Sequence, residues 1–192
     1  MKYTFLIFVA SLAACNPSTE HPTNAAQPPA ETPEARVAHG KYLVEIMGCG
    51  DCHSPKIMTP QGPAPDPARL LSGHPAAEKI APFPDPKTAF NGQWALFSPG
   101  LTIGVGPWGV NYAANLTPDD TGLGNWTFDQ FKRALTQGKS KGMENGRTLL
   151  PPMPWQNYVH MKDEDLQAVF AYLKSLPPVQ NVVPAPTPPA TF

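Results

Sequence analysis

Charge is scarce in this 192-residue chain: Asp, Glu, Lys and Arg make up 15% of it, and the formal net charge is −1. No basic patch stands out, which argues against nucleic acid as a partner. Cysteine is scarcer still, at three residues. Cys49 and Cys52 stand close together and Cys15 stands alone, so no second C-x-x-C exists to complete a four-ligand zinc site. The histidines outside that region (His21, His39, His74, His160) are scattered singly. No βαβ pattern surrounds the cysteine pair, as a thioredoxin-like redox motif would require. The apolar run near the N-terminus, Phe5 to Ala10, is too short to cross a bilayer. The length leaves room for one ordinary domain.

What is present centres on Cys49-Gly50-Asp51-Cys52-His53. C-x-x-C-H is the attachment signature of a c-type haem. Two thiols at this spacing add to the two vinyl groups of one porphyrin, and the following imidazole sits beneath the iron as its proximal ligand. A plain disulfide would leave His53 without a reason. The expected cofactor is therefore one covalent haem c on Cys49 and Cys52, with His53 on the metal.

The chain before this motif reads as an address and a tether. Lys2, the apolar run and Leu12-Ala13-Ala14-Cys15 fit an export signal over residues 1–14, to be set aside in fold reasoning. A cysteine at the cut resembles the lipobox of bacterial lipoproteins, with Cys15 as the lipidated residue; the plainer alternative is an ordinary signal peptide with an incidental cysteine. Residues 15–35 are Pro, Ala, Thr and Glu with almost no large apolar side chain, a tether rather than a domain. Proline, at 26 residues, also dominates 180–192, expected to be a flexible tail. The folded part should run from 36 to 179.

Three helices are expected there. Thr32-Pro33 supplies a cap followed by proline at the first helical position, and Val37, Gly40, Val44 and Met47 then share one face, with Gly48 ending it. Gly40 inside that helix points to a close crossing with another helix. Thr127 to Gln130 fits a capping box, with Trp126 and Phe131 as its staple and Gly138 as the stop. Asp163-Glu164-Asp165 opens the last helix, Leu166, Val169, Phe170 and Leu173 form its stripe, and Pro177-Pro178 stops it. Between 54 and 125 the chain is rich in Pro and Gly, with Trp94, Phe97, Trp108 and Tyr112 embedded in it. Leu101 to Ile103 and Val110 to Tyr112 could pair as a short hairpin.

The sixth ligand decides the function. Met47, Met58, Met143, Met153, Met161 and the stray histidines are candidates. A thioether binds iron weakly, so the loop presenting it must be stiff. Met153, in Leu149-Leu150-Pro151-Pro152-Met153-Pro154-Trp155, has prolines on both sides. The bland reading of any one methionine is core filler, which suits Met47 and Met161 better.

With these residues in view, the sequence resembles the class I cytochrome c family. Asn115-Leu116-Thr117-Pro118-Asp119, Thr121 to Thr127, Phe131, Gly138, Pro152 to Trp155 and Asp163 to Leu166 look like the haem domains of cytochrome subunits of membrane-bound dehydrogenases. The resemblance implies Cys49 and Cys52 as thioether attachments, His53 and Met153 as axial ligands, and contact of the first and last helices near Gly40 and Tyr172. It also implies an all-α cytochrome c fold: about three main helices around one haem, with a long Pro- and Gly-rich insertion. Two departures matter: this chain has one C-x-x-C-H where those subunits usually carry several, and Lys162 stands where a Ser or Thr cap is usual.

The function expected from all this is not an enzyme's. It is that of a monohaem, lipid-anchored one-electron carrier on the periplasmic or cell-surface side of a bacterial membrane. Its partners would be redox proteins such as a dehydrogenase or a terminal oxidase. The alternatives are a haem enzyme or gas-binding sensor with a labile sixth ligand, and a structural lipoprotein subunit that docks through Pro55 to Pro99.

Overall fold

The computed structural model describes residues 31–79 and 85–189. The expected signal peptide, Cys15, His21 and the tether up to residue 30 lie outside the described residues.

The first helix, α1 (Pro33–Ile46), starts where expected: the Thr32 hydroxyl accepts from the Ala35 N–H, and proline occupies the first turn. Gly48, at φ 66°, turns the chain directly into α2 (Cys49–His53). Near the other end of the sequence, α5 (Asp163–Ser175) opens on three carboxylates, and Lys162 gives it no side-chain cap. These two long helices cross closely at Gly40. A Cβ there would fall on the Ala168 carbonyl and lie 2.9 Å from Tyr172 Cβ. Around the crossing, Val44, Leu71, Leu123, Phe131, Leu166, Val169, Tyr172 and Leu173 form the main core. The α4 helix (Phe128–Gln137), closed by the full Thr127/Gln130 capping box and by Gly138 at φ 64°, adds Phe131 to it.

The expectation of an all-α fold fails in the middle of the chain. A hairpin of β1 (Lys56–Thr59) and β2 (Gly62–Pro65) follows the haem motif. After the one-turn α3 (Pro86–Phe90) comes an antiparallel sheet in the order β3-β4-β5 (Leu96–Phe97, Ile103–Gly106, Gly109–Tyr112). The hairpin read from the sequence is thus real, but its first strand lies two residues later than expected and a third strand joins it. The sheet encloses a second small core of Ala89, Ile103, Val105 and Val110. Its strands carry β-branched residues at Ile103, Val105 and Val110. The glycines between them, at 104, 106 and 109, hid the pattern, and each is required by a neighbour packed against the strand.

Residues 180–189, expected as a flexible tail, follow a defined path along the domain. The Asn181 side chain donates to the carbonyls of Ser72 and His74 and accepts from the Ala76 N–H. Thr187 exchanges backbone bonds with Val110 on the edge of the sheet. Proline suits such an edge because it needs no ladder partner.

Candidate haem site

The short α2 helix places Cys49, Cys52 and His53 on little more than one turn, half-buried. Its far end is unusually well held. Lys56 Nζ reaches back to the carbonyls of Gly50, Asp51 and Ser54 at 3.3, 2.8 and 2.7 Å, where a helix leaves acceptors unpaired and favours a cation. The buried Ser54 hydroxyl accepts from Leu71 N–H, and Gly73 N–H donates to the His53 carbonyl at 2.7 Å.

The imidazole is oriented by the chain that leaves β5. His53 Nδ1 lies 2.8 Å from the Ala114 carbonyl oxygen. A carbonyl only accepts, so Nδ1 carries the proton and Nε2 keeps its lone pair. This is the usual outer contact of a metal-binding histidine. Burial pushes the His53 pKa below its ordinary value, against the opposing pull of that carbonyl. The neutral form is therefore the stable one, as a ligand requires. Burial pushes the Cys49 thiol up to about 11 and also raises Cys52. A redox-active C-x-x-C lowers its thiol pKa instead. The donor set fits a haem attached through both sulfurs: two unionised thiols, one oriented neutral imidazole, and an apolar neighbourhood in which Cys49 packs against the main core.

Met153 lies on the loop between α4 and α5. That loop is gripped at both ends. On one side Asn111 Nδ2 donates to the carbonyls of Leu150 and Pro151, each at 3.2 Å, and the Pro152 ring lies over Gly104. On the other side, the Trp155 indole packs on Gly138, where a Cβ would collide with the ring. Of the other methionines, Met47 and Met161 pack against the main core, while Met58 (79% exposed) and Met143 (55%) face solvent. His39 pairs with Asp165, buried His74 lies 3.0 Å from the Thr102 hydroxyl, and His160 is exposed. Tyr158, in the 3-10 turn after Met153, lies close enough to Cys49 and Cys52 to feel both thiols; burial, then the two cysteines, raises its hydroxyl pKa.

Several of these contributors were illegible beforehand. Ala114 acts through a backbone oxygen, and Ser54, Lys56 and Tyr158 carry no motif. Asn111 did leave a trace, because asparagine is a poor strand former yet stands inside the expected strand. The Asn115 motif is legible in retrospect. Its side chain donates to Thr121 and the Val179 carbonyl and accepts from Thr117, tying the loop before α4 to the end of α5.

A neutral imidazole fixed one residue after a half-buried cysteine pair, on a core of crossed terminal helices, is the arrangement of a c-type haem protein. The chain belongs to the cytochrome c family, whose model matches residues 37–177. It is 31% identical over 140 residues to the gluconate 2-dehydrogenase cytochrome c subunit of Pantoea cypripedii, covering 72% of this chain and 23% of that protein. It is 37% identical over 155 residues to the cytochrome c subunit of the quinone alcohol dehydrogenase of Gluconobacter oxydans, covering 79% and 24%. The fructose dehydrogenase cytochrome subunit of Gluconobacter japonicus is 25% identical over 171 residues, covering 88% and 26%. The chain thus spans about a quarter of the length of each of these curated relatives. The cytochrome c family implies a covalently bound haem c.

Proposed function

We propose that this chain binds one haem c through Cys49 and Cys52, with His53 and Met153 as axial ligands, and works as a one-electron carrier. The observation that carries the reading is the segment from Asn111 to Ala114. Its first residue grips the Met153 loop and its last orients the His53 ring. Three residues of chain span at most roughly 10 Å, so the two candidate ligands are held by neighbouring points of one short segment, the end of β5 and the chain leaving it. Bound there, haem supplies one-electron chemistry, its iron alternating between ferric and ferrous states.

The chain's own residues determine the rest. His53 presents Nε2 in one orientation, and Met153 offers a soft thioether, which favours the ferrous state and a relatively high potential. With His53 and Met153 both given to the iron, no open position would remain for a substrate. A single C-x-x-C-H supports one haem rather than several. The low charge favours a small, transient docking contact over long-range steering.

The relatives are cytochrome subunits of dehydrogenases, so a dehydrogenase is the favoured donor; a terminal oxidase or another redox protein would be the acceptor. We place the protein on the exported side of a bacterial membrane, tethered by lipid on Cys15. Among the described residues no helix is long and apolar enough to cross a membrane. Replacing Cys15 by Ser should release the protein from the membrane fraction, and a variant that stays bound would refute the anchor.

Visible spectra of the purified holoprotein, with and without carbon monoxide, test the central reading. A far-red band of methionine on ferric iron, with no response of the reduced form to carbon monoxide, is expected. A prompt carbon monoxide shift would overturn it in favour of a haem enzyme or gas sensor.

A further inference from the structure

The insertion between the haem motif and α4 is larger than a minimal domain of this kind needs, and its sheet meets the Met153 loop at one cross-strand pair. Gly104 on β4 stands directly opposite Asn111 on β5. Side chains of directly opposed strand residues leave the sheet on the same face. On that face Asn111 Nδ2 donates to the Leu150 and Pro151 carbonyls. Beside it, the missing side chain of Gly104 makes room for the Pro152 ring: a Cβ there would lie 2.5 Å from Pro152 Cδ and 3.0 Å from Cγ. The residues gripped are the three that precede Met153.

We propose that the Gly104–Asn111 pair is a seat that sets the strength of the axial thioether bond, and that supplying this seat is the role of the inserted sheet. Asn111 and Gly104 are positioning residues, acting through residues 150–152 on Met153. The proposal rests on Met153 being the axial ligand. A weak ligand is held only as firmly as its loop, so the fraction of molecules with the thioether off the iron follows the free energy of the loop in its seat. Two hydrogen bonds of ordinary net worth, about 1 kcal/mol each, amount to roughly a thirtyfold change in that fraction.

The test is imidazole binding to the ferric full-chain holoprotein, followed through loss of the far-red methionine band, for wild type, N111A, G104A, G40A and M153A. Imidazole competes for the position that Met153 leaves. N111A should bind it about thirtyfold more tightly. G104A, which pushes Pro152 off the sheet, should bind it at least as tightly as N111A. G40A forces the α1–α5 crossing and touches neither the Met153 loop nor the sheet that seats it, so it lowers the unfolding temperature without changing imidazole affinity. This separates a seat from mere stability. M153A should lack the far-red band; if it keeps the band, the ligand reading itself is wrong. If M153A loses the band while N111A and G104A bind imidazole as wild type does, the ligand reading stands and the seat is refuted. Should N111A fail to retain haem, the isosteric N111D takes its place. It presents an acceptor where a donor is needed, and unchanged imidazole affinity in it would equally refute the seat.

Discussion

Replacing Gly40 by Ala tests the helix crossing on which the domain is built. In an isolated helix this change is favourable by about 1 kcal/mol. Here the new methyl would land on the backbone carbonyl of Ala168, with Tyr172 Cβ at 2.9 Å on its other side. Neither obstacle is the far end of a flexible side chain. Relief therefore requires α1 and α5 to separate by about 1 Å, which forfeits a quarter to a half of the dispersion energy of the atoms in contact across the seam. Val44, Val169, Tyr172 and Leu173 are among the core residues that would lose it. Overpacking of this kind costs about 3 kcal/mol at its upper range. Set against the helix gain, the net destabilisation is about 2 kcal/mol, a fall of roughly 6 °C in Tm for a domain of this size. Reversible thermal or guanidinium unfolding of the holoprotein measures it. Because the clash is with a backbone oxygen, truncating Ala168 to Gly should not rescue the variant. A G40A protein as stable as wild type, or full rescue by A168G, would refute the reasoning.

Other expectations follow from the same contacts. K56M removes the cation from three carbonyls at the end of α2 and should lower stability by about 1 kcal/mol, with K56R recovering part of it, as read by chemical denaturation. N115A strips four hydrogen bonds from a buried side chain and should cost about 3 kcal/mol, the largest single loss among these variants in a denaturant titration. Hydrogen bonds from Arg69, Thr88 and Thr121 hold the carboxyls of Asp66, Asp85 and Asp119 below their ordinary value of 3.8. Depressed carboxyl values mean that the unfolded chain binds protons first. The stability contributed by these groups is therefore complete above about pH 4 and is lost as the pH falls through the folded values below 3.8. D119N should flatten part of that acid loss in pH-dependent melting, and an unchanged acid limb would count against the Thr121 contact.

The sequence by itself was enough for the haem motif and the helix ends, whose physics is local. The C-x-x-C-H motif is a statement about covalent spacing, and five consecutive residues carry it whatever the rest of the chain does. The Thr32 and Thr127 caps, the stop at Gly138 and the apolar stripe of α5 depend on contacts within one or two helical turns, so they could be read directly. Gly40 could be read as a crossing because a glycine inside a helix is costly and calls for a close neighbour. The inserted sheet could not be read in the same way. Gly104 and Gly109 admit Pro152 and the backbone of Thr187, which are near the sheet only after folding. The contacts of the tail are equally hidden, since proline composition carries no trace of the bonds that Asn181 and Thr187 make to the domain. The orientation of His53 and the grip on the Met153 loop are decided by Ala114 and Asn111, 61 residues after the one and about forty before the other. No pattern in a linear sequence records that a backbone oxygen of one segment will meet an imidazole from another; only the tertiary structure brings them together, because the contact belongs to the packing and not to either residue.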